Sequence, residues 1–261
     1  MNAQTLTEQT EASTAKLRSK LPSLRDRVAV VTGASSGIGK AIALGLAEEG
    51  ARLWLVGRKS AALEEVAKTA RETSAAVRVC RADLTVEDEL RAVADSVASE
   101  GRVDVLVLCG GAIHHAETAK ATVADLDAQY RANVRGPYQL TQTLLPALRV
   151  GPGQVVFINS SSGLKAPARA GQFAATQHAM KAVAESLRDE INAEGIRVLS
   201  VFLGRTATGR TEELFRLEGK VYRPELLMQP EDVALMVIHA LKMPRTAEVT
   251  EISMRSLVKS Y

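Results

Sequence analysis

Seven short apolar runs alternate with segments of helical period along this chain, and that alternation limits the fold more than any other feature. The runs are 28–32, 52–56, 76–80, 104–108, 154–159, 196–202 and 247–253. Helical periodicity occupies 38–49, 60–73, 86–100, 122–149, 171–194 and 229–241 between them. A strand, a helix and a further strand in sequence make a crossover unit, whose two strands lie parallel. The runs are apolar at nearly every position, as strands covered by helices on both faces require. The expected architecture is α/β, with one doubly wound parallel sheet of seven strands in a single domain.

Composition agrees with this and narrows the function. At 261 residues and 46% hydrophobic, the chain has ample material for one large core. Its net charge is only +3 and its basic residues are scattered, which argues against nucleic acid as a partner. No apolar run approaches the roughly 20 residues of a membrane helix. Residues 1–20 lack the apolar core of a secretion signal, so a cytoplasmic location is expected. Cys80 and Cys109 sit at apolar strand ends and read as buried free thiols, with no disulfide and no metal site. Residues 1–26 form an N-terminal extension to a domain spanning 27–261, polar with widely spaced leucines at Leu6, Leu17, Leu21 and Leu24. It is either a surface tail or an arm to a neighbouring subunit. The irregular stretch 205–228 follows the sixth strand and is expected to form a substrate-side lid.

The first strand runs into Gly33-Ala34-Ser35-Ser36-Gly37-Ile38-Gly39 and then a helix. In that context Gly33 permits the tight turn, Gly37 lets backbone approach a pyrophosphate, and Gly39 lets helix and strand pack closely. The free N–H groups of the helix start then face the phosphates. The pattern leads us to expect the dinucleotide site of a Rossmann fold rather than a plain glycine-rich turn. Where a carboxylate would bind the ribose hydroxyls of NAD, at the end of the second strand, the chain has Gly57 followed by Arg58 and Lys59. A guanidinium there donates to a 2′-phosphate that a carboxylate would repel, and Ser35 and Ser36 add hydroxyl donors. NADP(H) is therefore expected over NAD(H).

Thr32 through Gly39 resembles the TGxxxGIG motif of the short-chain dehydrogenase/reductase family. Asp83-Leu84 resembles the family's adenine-contacting pair, Asn133 its helix asparagine, and Ser160, in Asn159-Ser160-Ser161-Ser162-Gly163, its catalytic serine. Leu203-Gly204-Arg205-Thr206-Ala207-Thr208 resembles its PGxxxT segment. The similarity runs through residues 27–253 in register. It implies further cofactor contacts from Cys109, Gly110, Gly111, Gln177, Gly204, Thr206 and Thr208. It also implies a homodimer or homotetramer built on the two long helices near 122–149 and 171–194.

The family's YxxxK motif reads Phe173-Ala174-Ala175-Thr176-Gln177, with Phe173 thirteen residues after Ser160, the family's usual spacing. Its NNAG motif reads Leu108-Cys109-Gly110-Gly111. Phe173 has no proton to give, and Gln177 hydrogen-bonds without carrying charge. His114 and His115, in the loop after the fourth strand, are substitute proton carriers or plain loop residues. Lys181, one turn beyond Gln177, is expected at the surface, and Tyr138 is expected to pack inside. Three functions remain open. One is an oxidoreductase acting on a small carbonyl, hydroxyl or activated alkene. The second is a cofactor-binding sensor, scaffold or partner subunit without turnover. The third is non-redox elimination or cyclisation.

Overall fold

In a computed structural model, residues 22–258 are described. Seven strands form one sheet in the order β3-β2-β1-β4-β5-β6-β7. They are β1 (Val28–Thr32), β2 (Arg52–Gly57), β3 (Val77–Arg81), β4 (Val105–Leu108), β5 (Gln154–Ser160), β6 (Arg197–Leu203) and β7 (Glu251–Met254). Every pairing is parallel. The order reverses between β1 and β4, which opens a crevice at the carboxyl ends of those strands.

The helices are α1 (Gly37–Glu48), α2 (Ser60–Ala70), α3 (Glu87–Ala98), α4 (Val123–Tyr130), α5 (Gly136–Val150), α6 (Gly171–Ile191), α7 (Gly209–Leu217) and α8 (Pro230–Leu241). Alternate strand residues feed two cores on opposite faces. Ala29 and Val31 of β1 join Leu46, Leu63 and Val237 on one side. Val28 and Val30 join Trp54, Leu90, Leu140 and Ala184 on the other. The buried Trp54 still finds a partner, its indole Nε1 donating to Ser96 O at 3.1 Å.

Two buried charges fix the far end of the sheet. The Asp104 carboxylate accepts from Val28 N and from Arg27 Nη1, each at 2.8 Å, and so ties β1 to β4 at their start. Arg197 donates to the carbonyls of Leu241, Met243 and Ala247, joining β6 to the segment after α8.

Three expectations need correction. The helical pattern at 122–149 is broken by a π turn over Arg131–Arg135. Pro137 has no N–H to offer the Asn133 carbonyl, so the regular ladder cannot run through this point. The last strand starts at Glu251 rather than 247: Ala247 O is taken by the Arg197 side chain, and the backbone bonds from β6 begin only where Ser200 N donates to Thr250 O. The irregular stretch 205–228 holds α7, which is capped by Thr208 Oγ1 accepting from Thr211 N at 3.2 Å. The extension expected over 1–26 lies largely outside the described residues. Its last part does not stand apart, since Leu24 is 3% exposed within the first core. Among the described residues no helix is long and apolar enough to cross a membrane.

Candidate active site

The crevice begins at the glycine turn between β1 and α1. Gly33 and Gly37 have φ of +66° and +53°, in the left-handed region that a side chain disfavours. At Gly39 a Cβ would sit 2.4 Å from Gly33 O, so only glycine lets α1 start this close to the strand. Ser36 precedes the helix without a side-chain cap bond. The first regular bond of α1 runs from Lys40 N to Ser36 O, leaving the N–H groups of Gly37, Ile38 and Gly39 for a ligand. The turn is thus built as an anion cradle, and it fits the phosphates of a dinucleotide.

At the end of β2, a Cβ on Gly57 would lie 3.7 Å from Ser35 Oγ. Serine hydroxyl and β2 terminus therefore share one wall, followed by Arg58 and Lys59. Arg58 is largely exposed and pairs loosely with Asp83, at 3.7 Å. Burial pushes the Asp83 carboxyl up, but hydrogen bonds from Thr85 and the charge of Arg58 outweigh it and leave the group below the ordinary carboxylate range. Leu84 packs against the loop after β4, where a Cβ on Gly110 would meet its Cδ1 at 2.8 Å.

That loop forms the opposite wall. The Thr32 hydroxyl accepts from Cys109 N at 2.9 Å and Gly110 N at 3.1 Å. Asn133 holds the next residue from both sides: Ala112 N donates to its Oδ1 at 2.6 Å, and its Nδ2 donates to Ala112 O at 2.8 Å. The π turn aims this buried asparagine at the loop. Its Nδ2 also donates to Thr176 Oγ1 at 3.0 Å, linking the loop to α6. Asn133 is therefore a positioning residue, with its amide occupied by protein. Cys80 and Cys109 are free thiols as expected, but both are half-buried rather than buried. Burial raises the Cys109 thiol to about 12, so it stays protonated.

Ser160 closes β5, and its Oγ accepts from Ser162 N at 3.1 Å. Its hydroxyl proton remains available to a ligand. Phe173 and Gln177 lie one turn apart on α6, both buried. Asn159 joins their helix to β5 by donating from Nδ2 to Gln177 O at 3.1 Å. The Gln177 amide reaches the Thr176 hydroxyl at 3.3 Å. The positions that follow Ser160 in register thus come together, and neither carries an ionisable group. Lys181 is turned away, paired with Glu185 and Glu251. Tyr138 is 51% exposed, a correction to the expected packing, because it faces outward from α5.

The two loop histidines part company. His114 points outward, Nδ1 lying 3.6 Å from Asp125 Oδ1 at the start of α4. His115 turns in: its ring centroid is 5.8 Å from that of Phe173. Its Nδ1 lies 3.8 Å from Glu218 Oε1, and its Nε2 is buried without a hydrogen-bond partner among the described residues. Burial lowers the His115 pKa, Glu218 opposes this, and the Arg205 charge adds to the lowering. The imidazole is therefore neutral near pH 7.

Residues 205–228, the stretch expected to act as a lid, complete the site. Glu218 binds Arg205 through both oxygens, at 2.6 and 2.7 Å, and Arg205 stacks 4.5 Å over the Phe215 ring. Thr206 bridges to Met228 at the lid's far end, and the Gly204 amide donates to Met254 O. Thr208 touches the glycine turn: a Cβ on Gly37 would meet its Cγ2 at 3.0 Å. Sequence reasoning missed Thr176 as a hydrogen-bond hub and Glu218 as the partner of His115. No motif marks either one, because their roles arise only when α6 and the lid meet the β4 loop.

Residues 27–218 match the short chain dehydrogenase family. A protein of Staphylococcus epidermidis, described as an uncharacterized oxidoreductase, is 31% identical over 237 residues, covering 89% of this chain and 98% of that one. The glycine betaine reductase of Emericella nidulans is 33% identical over 236 residues, which is 88% of this chain but only 18% of that longer protein. An alcohol dehydrogenase of the archaeon Thermococcus sibiricus, solved with 5-hydroxy-NADP, has a TM-score of 0.81 at 25% identity, over 90% of this chain and 98% of that one. Matched by the family over most of its length, and 31% identical to a relative that it covers almost entirely, this chain belongs to the short chain dehydrogenase family.

Proposed function

We propose that the chain is an NADP(H)-linked oxidoreductase acting on a small alcohol or carbonyl, with His115 in place of the absent tyrosine. The observation that carries the reading is the pairing of an intact phosphate cradle with an inward-facing, half-buried imidazole beside Phe173, its Nε2 without a partner among the described residues. Gly57 and Arg58 at the end of β2 support NADP(H) over NAD(H), since no carboxylate stands there to oppose a 2′-phosphate. A bound nicotinamide would supply the hydride acceptor or donor.

The chain's own groups handle the substrate oxygen. The Ser160 hydroxyl donates a hydrogen bond to it and polarises the carbon. With the His115 proton on Nδ1, facing Glu218, the bare Nε2 takes the alcohol proton as the carbonyl forms. In the reverse direction the imidazolium returns it. A neutral imidazole at pH 7 favours the oxidation direction. Asn133 holds the loop that carries His115. Tyr138, exposed on α5, supports a homodimer or homotetramer through the long helices.

The test is NADP+-dependent oxidation of a panel of small alcohols by wild type and His115→Ala. The reading expects a loss of roughly 10²–10⁴ in kcat/KM for the variant, the usual worth of a general base. Equal rates would remove His115 from the mechanism. A second reading, cofactor binding without turnover, draws on the burial of two non-ionisable side chains, Phe173 and Gln177. Tight NADPH binding with no oxidation or reduction across the panel would favour it.

A further inference from the structure

We infer that Arg210 is a phosphate-binding residue carried on the lid, placed to hold the pyrophosphate of a dinucleotide against the glycine turn. The inference rests on the proposal that the crevice takes such a cofactor. It adds a cation that lies outside the glycine turn and the end of β2.

The first turn of α7 spans the crevice. At one side Thr208 lies against Gly37. Two residues on, Arg210 Nη2 donates to Gly111 O at 2.9 Å, on the opposite wall. The guanidinium is thereby drawn across the groove whose floor carries the free amides of Gly37, Ile38 and Gly39.

Its partners are what set it apart from its neighbours. Arg205 is matched by Glu218, Arg216 by Glu213 at 2.7 Å, and Lys220 by Glu218 at 2.9 Å. Among the described residues Arg210 has no carboxylate within ion-pair reach, and a neutral carbonyl takes one of its five N–H donors. The side chain is exposed at its surface yet hemmed in by the groove walls. That crowding works against its charge, and so does Arg58. Two cations facing one groove, with free backbone N–H groups beneath, are relieved by an anion. A residue kept only for surface charge has no reason to reach a carbonyl inside the crevice.

The place along the groove selects the phosphate. Arg58 and Ser35 stand at the end of β2, where the 2′-phosphate is expected. Arg210 is held at Gly111 O, two residues beyond Thr208, which lies against Gly37 of the turn whose amides fit the pyrophosphate that NADPH and NADH share. A planar fork suits its paired oxygens.

The experiment is calorimetric titration of wild type, Arg210→Ala, Arg210→Lys and Arg58→Ala with NADPH and with NADH. A thermal melt of each variant reports folding. Arg210→Ala should weaken both nucleotides by the same factor, roughly 10- to 100-fold, as loss of a charge-assisted hydrogen bond implies. Arg210→Lys should fall between, and Arg58→Ala should weaken NADPH alone. Arg210→Ala binding both nucleotides within twofold of wild type overturns the inference while leaving the cofactor reading intact. Weakening of NADPH alone moves Arg210 to the 2′-phosphate and overturns the pyrophosphate assignment. Wild type binding neither nucleotide overturns the cofactor reading and this inference with it.

Discussion

Restoring the tyrosine and lysine that the family carries should create carbonyl reduction far above the native level. The perturbation is Phe173→Tyr with Gln177→Lys. Phe173 packs 5.8 Å from the His115 ring, centroid to centroid, so a phenol hydroxyl there enters the space where the proton is exchanged. Gln177 is 8% exposed, and its amide makes one long bond of 3.3 Å to Thr176, so little hydrogen bonding is lost on replacement. A lysine cation in that buried place lowers the phenol pKa by charge. Its own desolvation costs stability, about 3–5 kcal/mol where no carboxylate compensates. General acid catalysis is worth about 10²–10⁴ in rate, or roughly 3–5 kcal/mol of barrier. Because the lowered His115 pKa leaves little imidazolium to act as acid in the reduction direction near pH 7, the double variant should raise kcat/KM for NADPH-dependent reduction at least a hundredfold, with each single variant giving much less. The assay is loss of NADPH absorbance over a carbonyl panel, with NADPH affinity and a melting curve measured on each variant. A folded, NADPH-binding double variant that gains less than tenfold would refute the assignment of Phe173 and Gln177 to the proton-handling positions.

Two more predictions concern the His115 pair and the edge of the domain. If His115 is the base, kcat/KM for alcohol oxidation falls as acid protonates it. Because its pKa is lowered in the fold, that fall should be centred below the ordinary imidazole value of about 6.5. Glu218 holds the value up, so Glu218→Gln should shift the fall to still lower pH. Arg205, released from its carboxylate, pushes the same way. A shift to higher pH, or none, contradicts the pairing. Leu24→Ala should cost about 2–4 kcal/mol, since the side chain is 3% exposed in the core. For a domain of this size that lowers Tm by roughly 5–15 °C. A change under about 1 °C would mean that Leu24 is not docked.

The alternation of apolar runs made the sheet legible, since strands buried on both faces cannot hide their composition. The β1 turn was equally legible, because positive φ at Gly33 and Gly37 and the tight approach at Gly39 each demand glycine. What sequence could not show was how the lid meets the β4 loop. The Glu218–His115 approach joins segments a hundred residues apart, and Arg210 reaches Gly111 across a similar separation. No period or local motif encodes either contact. The π turn escaped for another reason: its cause, a missing N–H at Pro137, sits inside an otherwise unbroken helical pattern. Leu24 was hard to assign because it stands among polar and charged residues with no apolar run joining it to β1.

The most direct test of the central claim is calorimetric titration of the purified protein with NADPH and, separately, with NADH. NADPH should bind at micromolar concentration and NADH at least tenfold more weakly, with the difference lost in Arg58→Ala. Undetectable binding of both would contradict that claim, and tighter binding of NADH would contradict the assignment of Arg58.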